Sequence, residues 1–397
     1  MFKKKNKGFK KFSEPEKKYL GEVIDSGELF YWNGNKTKRF CNKVQEYYNV
    51  KHCATTSSGT AAIHAAIGAI EIPPGKEVIT SPITDIGTLI GALYQNLIPV
   101  FADVDPHTYN ITADEIKAKI TENTGAIIVV HLAGNPAQMD EIMAVANEHD
   151  IPVIEDCAQS YGALYRGKKI GTIGKAGCYS LNAFKHISAG DGGFVITSDD
   201  EYYEKIVNFA DKSYDRLNTG RRLTVLGPNY RITELQTAVA LAQMDKLDYI
   251  VDLHHKLGDR FVHGIKGLDG IEPHDIKDED YCSYWFTMLR IDLGICGSRD
   301  EFASKLKEEG VPASAGYIER PLYLEPVFAR KSFFPGGTWP AEVIAGHSVD
   351  YTKGDCPVAE QVLETAVRIN FNESLTEETI DTWINKVKKV HAKCKHD

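Results

Sequence analysis

The sequence lacks the marks of a membrane-spanning, disulfide-linked or zinc protein. It contains no uninterrupted apolar run of about 18 residues, which argues against a membrane span. None of the 8 cysteines forms a Cys-x-x-Cys pair, so we expect reduced, buried thiols rather than a disulfide framework. The 13 histidines show no His-Glu-x-x-His spacing, and we predict no metal site.

The basic start of the chain lacks the apolar segment of a secretory signal peptide. Residues 1–12 are rich in lysine, but no hydrophobic stretch follows them, so we expect a cytoplasmic protein. We interpret residues 1–12 as a flexible basic arm. The chain as a whole is acidic, with a net charge of −9, and this balance argues against nucleic-acid binding.

Strands and helices alternate along residues 52–210 at the spacing of βαβ units. The pattern predicts strands at 52–56, 77–80, 98–104, 125–131, 151–155 and 194–197, and helices at 61–70, 88–95, 113–121, 138–149 and 200–210. Units of this length predict an α/β fold with a mostly parallel sheet covered by helices on both faces. In such sheets, ligands bind at the carboxyl ends of the strands.

The 397 residues are too many for one ordinary domain, and two are expected. A long helix that begins near Glu234 and reaches about residue 257 is predicted to carry the boundary. We therefore predict a large domain at 1–257 and a smaller α+β domain at 258–397. The second domain is predicted to hold strands at 284–292 and 366–370 and helices at 299–309, 357–363 and 377–393.

Lys185 lies in a small, largely uncharged turn between two predicted strands. The strand before it ends near Ser180, and Gly190-Asp191-Gly192-Gly193 leads into the strand after it. A lone lysine in such a turn is typical of a solvated loop. Two features upstream favour a catalytic amine instead.

These features are a carboxylate and a helix start, each placed directly after an apolar strand. Asp156 follows the strand at 151–155, and a carboxylate there is costly without a cationic partner such as a protonated pyridine nitrogen. The segment Ser57–Ala61 follows the strand at 52–56, where N–H groups and hydroxyls at a helix start suit a dianionic phosphate. Each alone is also explained as a helix cap. Together with Lys185 they predict pyridoxal 5'-phosphate (PLP) as cofactor.

Four motifs occur in a characteristic order along the chain. They are Ser-Gly-Thr-Ala-Ala, Glu-Asp-Cys-Ala-Gln, Ser-x-x-x-x-Lys followed by Gly-Asp-Gly-Gly, and Gly-Pro-Asn-Tyr-Arg. This set resembles the DegT/StrS family of sugar aminotransferases over about residues 20–385. The resemblance implies an aspartate-aminotransferase-like fold (PLP fold type I) and a PLP-dependent transaminase with glutamate or glutamine as amino donor. It also implies a homodimer with active sites at the subunit interface.

The resemblance implies a role for each matching residue. Lys185 is the Schiff-base lysine, Asp156 pairs with the pyridine nitrogen, and Gln159 lies at the phenolic oxygen. The implied phosphate contacts come from one helix start, from the strand before Lys185 and from the neighbouring subunit. They are Ser58, Gly59, Thr60, Ala61, Ser180 and, from the neighbouring subunit, Asn229.

One motif departs from the family pattern. Where relatives place an aromatic ring over the cofactor, this chain has Thr84-Asp85-Ile86-Gly87-Thr88, and Asp85 cannot stack. We expect Asp85 to lie against the cofactor or to bind a substrate amine or hydroxyl. The variant is similar to that of the family branch that makes 8-amino-3,8-dideoxy-manno-octulosonate, an aminated form of the acidic sugar of lipopolysaccharide, from its 8-oxo precursor.

An acidic sugar requires a cationic partner, which a polar, arginine-rich loop at 211–228 could supply. The candidate substrate residues are Trp32, His186, Arg216, Arg221, Arg222 and Arg231. Solvated charge is the alternative interpretation of the arginines, and packing against the core that of Trp32.

Other functions are left open by the residues. The acceptor is alternatively a nucleotide-linked 4-keto-6-deoxy sugar, and a related reaction is PLP-dependent sugar dehydration. Dehydratase relatives replace the lysine by histidine, whereas Lys185 is present here. A ligand-sensing regulator would need a basic nucleic-acid surface, which the acidic sequence does not offer.

Overall fold

The computed structural model describes residues 9–218, 223, 225–337 and 339–394. The helices are α1 Glu14–Ser26, α2 Asn35–Tyr48, α3 Gly59–Ile70, α4 Gly87–Tyr94, α5 Ala113–Lys119, α6 Met139–Glu148, α7 Asp200–Ala210, α8 Glu234–Met244, α9 Leu247–Ile265, α10 Leu293–Cys296, α11 Arg299–Glu308, α12 Pro326–Ala329, α13 Pro340–Ala345, α14 Pro357–Thr365 and α15 Glu377–Cys394. The strands are β1 His52–Thr56, β2 Glu77–Thr80, β3 Ile98–Phe101, β4 Thr124–Val130, β5 Val153–Asp156, β6 Leu164–Tyr165, β7 Lys168–Lys169, β8 Ala176–Ser180, β9 Gly193–Thr197, β10 Ile271–Pro273, β11 Phe286–Ile291, β12 Ala313–Ala315 and β13 Ala366–Asn370.

The central sheet has seven strands in the order β1-β9-β8-β5-β4-β2-β3. The strands β8, β5, β4, β2 and β3 are parallel, and β9 runs antiparallel to both of its neighbours. The predicted mostly parallel sheet is therefore confirmed. Its parallel strands place their carboxyl ends at one edge, where Asp156 and Ser180 end β5 and β8.

Alternate residues of the central strands pack on opposite faces of the sheet, because strand side chains have a period of two. In β4, Ile127 and Val129 lie in the core formed with α2, α6 and α8. Ala126 and Ile128 of the same strand lie in the core formed with α3 and α7. Helices thus cover both faces, as the alternating pattern predicts.

A second sheet of four antiparallel strands, in the order β10-β11-β13-β12, follows the first. One face of this sheet packs on α9, α11 and α15. Phe286 and Met288 of β11 lie in a different core, together with Leu89 of α4 and Leu132. The face of the second sheet that carries Phe286 and Met288 is therefore directed toward the central sheet.

The single helix predicted to run from near Glu234 to about residue 257 is wrong, because two helices occupy this stretch. Helix α8 ends at Met244, and α9 begins at Leu247 and continues to Ile265. At the break the amine of Lys246 donates to the carbonyl of Lys11 at 2.7 Å. The break therefore lies against the N-terminal segment, and no proline or glycine marks it in the sequence.

Helix α9 packs on both sheets. Ile250 and Val251 in its first half belong to the core of the central sheet, while Leu257 and Phe261 belong to the core of the second. Helix α9 thus passes from one core to the other between Val251 and Leu257, and the predicted domain limits at 257 and 258 stay a prediction. No helix within the described residues combines the length and the apolarity needed to cross a membrane.

Candidate active site

Lys185 lies in the turn between β8 and β9, with its amine against an aromatic ring that precedes β11. Its Nζ is 3.7 Å from the centroid of the Trp285 ring, and Trp285 Nε1 donates to the carbonyl of Phe184 at 2.7 Å. Burial lowers the pKa of Lys185 to about 8, although the charges of Asp156 and Asp85 oppose this shift. An amine with this pKa has a useful unprotonated fraction near neutral pH, as a nucleophile and proton carrier requires.

Asp156 is a buried carboxylate at the carboxyl end of β5. Its Oδ2 accepts a hydrogen bond from Thr88 Oγ1 at 2.7 Å, and its Oδ1 accepts one from the N–H of Ala158 at 3.1 Å. Burial raises the pKa of Asp156, while these two hydrogen bonds and the charge of Lys185 oppose the rise. Among the described residues it has no ion-pair partner, so a protonated pyridine nitrogen fits the place of the missing cation.

The start of α3 is the predicted phosphate cradle, and this role stays a prediction. Ser58 caps the helix, with its Oγ accepting from the N–H of Ala61 at 3.0 Å. A Cβ added to Gly59 would lie 2.6 Å from the Cβ of Ser180, so only glycine allows β8 to approach this closely. The structure therefore brings together the predicted residues from the helix start and from β8. Free N–H groups and hydroxyls at a helix start suit a dianionic phosphate.

Gln159 is held by two groups that fix the direction of its amide. Its Oε1 accepts from the N–H of Ala133 at 2.9 Å, and its Nε2 donates to the hydroxyl of Tyr317 at 3.2 Å. Burial raises the pKa of Tyr317, with the charges of Asp85 and Asp156 adding to the rise. Tyr317 is therefore within electrostatic reach of both carboxylates.

The unusual Thr84–Thr88 segment supplies part of the site. Asp85 is exposed, and its Oδ1 accepts from the N–H of Gly87 at 2.8 Å. A Cβ on Gly87 would lie 2.6 Å from Thr60 Oγ1 and 2.9 Å from Asp85 Oδ1, which places Asp85 next to the phosphate cradle. Thr88, which bonds Asp156, also pairs its hydroxyl with that of Thr84 at 2.7 Å. The segment thus supports the carboxylate at the end of β5.

Two of the predicted substrate arginines, Arg216 and Arg231, pair with a carboxylate of their own chain instead. Arg216 binds Asp211 through Nε, and Arg231 Nη1 lies 3.2 Å from the same carboxylate. Asp211 also accepts from the hydroxyl of Tyr31 at 2.7 Å. Arg221 and Arg222 lie outside the described residues, as do residues 1–8 of the basic arm. Substrate binding by these arginines stays a prediction that the contacts within one chain do not support.

Three other predicted residues also lie apart from Lys185 or turn away from it. His186 is buried, with Nε2 2.9 Å from the carbonyl of Ser283, and burial holds its pKa well below the ordinary value. Trp32 lines a separate cavity of about 360 Å³ together with Arg231. Asn229 is exposed, and its Oδ1 accepts from the N–H of Arg231 at 3.4 Å.

Sequence reasoning missed two residues of this site, Trp285 and Tyr317. Both come from the second sheet and its connections, far along the chain from Lys185 and Gln159. Neither lies in one of the motifs, and an isolated aromatic residue is an ordinary core residue. No local signal in the sequence distinguishes them.

Comparison with known proteins decides the class of this site. Residues 10–388 match the model of the DegT/DnrJ/EryC1/StrS aminotransferase family. The chain belongs to this family. It is a PLP-dependent sugar aminotransferase with the α/β architecture predicted from the sequence.

The similar proteins include enzymes named for different sugars. The chain is 33% identical to the UDP-N-acetyl-3-dehydro-α-D-glucosamine 3-aminotransferase of Acidithiobacillus ferrooxidans, covering 91% of this chain and 89% of the relative. It is 31% identical to the GDP-perosamine synthase of Escherichia coli O157:H7, covering 80% of this chain and 85% of the relative. Among solved structures, an aminotransferase from Psychrobacter cryohalolentis aligns with a TM-score of 0.87 at 28% identity, covering 97% of this chain and 98% of the other.

The family cofactor acts as an electron sink for the carbon that loses or gains the amino group. We expect this chain's residues to hold it as follows. Asp156 would stabilise the positive charge of the ring nitrogen, Gln159 would orient the ring, and the start of α3 would bind the phosphate. Lys185 Nζ would attach the cofactor and would move a proton at the reacting carbon.

Proposed function

We propose that this aminotransferase moves the amino group of glutamate to the aldehyde carbon of an acidic sugar, 8-oxo-3-deoxy-manno-octulosonate. This would make it an 8-amino-3,8-dideoxy-manno-octulosonate transaminase, working in the cytoplasm in lipopolysaccharide biosynthesis. The observation that carries the proposal is Asp85. A carboxylate, rather than an aromatic ring, lies beside Thr60 and within electrostatic reach of Lys185. A carboxylate there can accept hydrogen bonds from the hydroxyls of a free, compact sugar.

A panel of acceptors tests the proposed substrate. The enzyme is first converted to its aminated form with glutamate and freed of the donor. Candidate acceptors are then added, and the return of the visible absorbance of the cofactor is followed. We expect rapid return with 8-oxo-3-deoxy-manno-octulosonate and slow return with GDP- or UDP-linked keto sugars. Preference for a nucleotide-linked sugar would overturn the proposed acceptor and leave the aminotransferase class intact.

A nucleotide-linked 4-keto-6-deoxy sugar is the second candidate acceptor. The similarity to a GDP-perosamine synthase favours it, since that relative is named for a nucleotide-linked amino sugar. The same panel separates the two candidates. Glutamine in place of glutamate, as the donor, is tested in the first step of the experiment.

The proposal includes a homodimer in which the partner subunit's Asn229 reaches the phosphate. Asn229 is exposed in the single chain, and large apolar side chains near it and near Lys185 are exposed too, with Leu226 at 94% and Phe184 at 81%. The proposed dimer interface would bury these two side chains and would add the partner subunit's Asn229 to the phosphate cradle.

Mixed dimers test the shared site directly. Lys185→Ala and Asn229→Asp each damage every site of their own homodimer. If the site takes Lys185 from one subunit and Asn229 from the other, mixing and reassembling the two variants restores one intact site in each hybrid. We expect activity to appear on mixing. A monomeric protein in light scattering, or a mixture no more active than its parts, would contradict the shared site.

A further inference from the structure

The N-terminal segment folds back on the turn that carries Lys185. Lys11 Nζ donates a hydrogen bond to the carbonyl of Lys185 at 2.8 Å, across 174 residues of sequence. The contact is made to the backbone of the reacting lysine and not to its amine. The described end of the basic arm therefore touches the candidate active site.

Local packing directs the side chain of Lys11 inward. The ring of Phe9 stacks on that of Tyr249 in α9, with centroids 4.7 Å apart. Phe9 and Lys11 are half-buried, whereas Lys10 and Phe12 are exposed. This alternation is typical of an extended segment, in which successive side chains point to opposite sides.

The backbone of Lys11 is tied to the same turn through α8. The carbonyl of Lys11 accepts from Lys246 Nζ at 2.7 Å and from Gln243 Nε2. Gln243 Oε1 in turn accepts from the N–H of Ser188 at 3.4 Å, just beyond Lys185. The amine and the carbonyl of Lys11 thus reach the turn by separate routes.

Two consecutive carbonyls of the turn each have a donor from a distant part of the chain. The carbonyl of Phe184 accepts from Trp285 Nε1, and that of Lys185 accepts from Lys11 Nζ. Within the turn, the N–H of Lys185 donates to the carbonyl of Asn182 at 3.0 Å. The peptide groups on both sides of Lys185 are therefore fixed, and with them the direction in which its side chain leaves the backbone.

The amine of Lys11 gives up most of its contact with water at this place. Its side chain is 17% exposed, and Glu373 Oε1 lies 3.6 Å from its Nζ. Burial lowers the pKa of Lys11, while the charge of Glu373 opposes the shift. A partly buried cation is costly unless it is paired, so the carbonyl of Lys185 and the carboxylate of Glu373 both offset that cost.

Two buried histidines beside the turn stay uncharged. The rings of His186 and His254 lie 5.2 Å apart. Burial holds the pKa of His186 well below its ordinary value and lowers that of His254 to about 4, and the charge of Lys11 adds to both shifts. Near neutral pH, the positive charge at the carbonyl of Lys185 therefore comes from Lys11 and not from these histidines.

We propose that Lys11 is a positioning residue for Lys185. Its charged amine holds the carbonyl of the turn, so that the amine of Lys185 meets the reacting carbon in the correct place. Rates depend steeply on such placement, since a misplacement of about 1 Å can lower a rate about 100-fold. The inference goes beyond the proposed function, because it holds for any sugar that the enzyme aminates.

Lys11→Met tests this role, because methionine keeps a long apolar side chain and lacks the charged donor. Lys10→Met, the same change at the exposed neighbour, is the matched control. Glu373→Gln removes the charge of the ion-pair partner and leaves the bond to the carbonyl, and Lys11→Arg keeps a charged donor. Thermal unfolding and the PLP content of each holoenzyme show whether it is folded and loaded.

The first readout is the single-turnover conversion of the loaded enzyme by glutamate or glutamine. In Lys11→Met we expect the maximal rate to fall about 10- to 100-fold, with the half-saturating donor concentration within about threefold of the wild type. A positioning residue lowers the rate and not the affinity, because it does not touch the substrate. Lys11→Arg should recover part of the rate, and Lys10→Met and Glu373→Gln should behave like the wild type.

The second readout is the visible circular dichroism of the bound cofactor, measured without substrate. It should change in Lys11→Met, because the cofactor is attached to Lys185 and follows the orientation of its side chain. It should stay as in the wild type in Lys10→Met and Glu373→Gln. A loss of stability alone would leave this signal of the folded, loaded protein unchanged.

Unchanged maximal rate and circular dichroism in Lys11→Met would overturn the inference, even if the unfolding temperature falls. Equal effects in Lys10→Met would overturn it as well. If Lys11→Met does not fold or load, Lys11→Gln, which keeps an uncharged donor on a shorter side chain, is judged by the same criteria. If neither donor converts the wild type, the proposed amino donors are wrong, and the circular dichroism still decides the role of Lys11.

Discussion

Glu155 and Asp156 are consecutive buried carboxylates at the end of β5, and their surroundings differ sharply. Because strand side chains alternate, they point to opposite faces of the sheet. Glu155 accepts from the N–H groups of Gly171, Ile173 and Gly174 at 2.6, 2.8 and 2.6 Å. Asp156 accepts from one hydroxyl and one N–H and has no ion-pair partner among the described residues, although the charge of Lys185 acts on it from a distance.

His131 completes the set of donors around Glu155. Its Nδ1 accepts from the N–H of Ala137 at 3.1 Å, which leaves the ring proton on Nε2, 3.1 Å from Glu155 Oε2. His131, Glu155 and Cys157 lie close enough together to be potential metal ligands. The polar atoms of these three side chains are already bonded to one another and to the backbone. Glu155, whose hydrogen-bond donors all come from the protein, therefore stabilises the fold. Asp156, which has no ion-pair partner among the described residues, is arranged to bind a cationic ligand.

Asp156→Asn removes the charge that pairs with the ring nitrogen and preserves the shape of the side chain. We expect turnover to fall by about 100-fold or more, because the electron sink depends on that charge. Chemical unfolding of the ligand-free protein should change little or become harder, since a buried, unpaired charge is lost. Turnover close to that of the wild type would remove Asp156 from the chemistry.

Glu155→Gln should show the reverse pattern. The amide Nε2 would face N–H donors, so we expect the free energy of unfolding to fall by about 2–4 kcal/mol. Turnover per folded, cofactor-loaded molecule should stay within about threefold of the wild type. Urea unfolding followed by circular dichroism measures the first quantity. A stable but inactive variant would break the contrast between the two carboxylates.

Thr88→Val sharpens the comparison because it removes one of the two donors to Asp156. That hydrogen bond opposes the raised pKa of the carboxylate, so its loss raises the pKa further. Since Asp156 acts in its ionised form, the acid limb of the pH–rate profile should move to higher pH, with turnover about 10-fold lower. Thr84→Val is the matched control, because Thr84 bonds Thr88 and not Asp156. An acid limb that does not move would exclude this role of Thr88.

Asp85→Asn should have the smallest effect of the four. The negative charge of Asp85 raises the pKa of Lys185 against the effect of burial. Its removal lowers that pKa from about 8, so cofactor loading of the cofactor-free protein should reach its maximal rate at lower pH, by about one unit or less. Asp191→Asn, in the adjoining turn, is the control. A shift to higher pH would contradict the sign of this interaction.

The central fold could be predicted from the sequence, and so could the place where the proposed cofactor residues meet, because these signals are local. Asp156 and the segment from Ser58 to Ala61 each directly follow an apolar strand, and parallel strands bring such positions to one edge. Lys185 and Ser180 belong to one short motif. Position in the chain was therefore enough to place them together.

The remaining parts of the site depend on long-range packing. Trp285 and Tyr317 come from the second sheet and its connections, and nothing near them in the sequence shows which residues of the first sheet they meet. The polar loop favours Arg216 as a substrate residue, because nothing in the sequence indicates that its partner Asp211 is buried. The break between α8 and α9 lies against the N-terminal segment, and the local sequence does not show this contact either.

Mixing the PLP-loaded protein with glutamate tests the central claim most directly. The claim is that Lys185, opposite Asp156, carries amino-group transfer. We predict that glutamate abolishes the visible absorbance of the bound cofactor in the wild type and that 2-oxoglutarate appears in equal amount. In Lys185→Ala, which retains the cofactor cradle, glutamate should yield no 2-oxoglutarate. An unchanged spectrum in the loaded wild type, or full conversion in Lys185→Ala, would contradict the account.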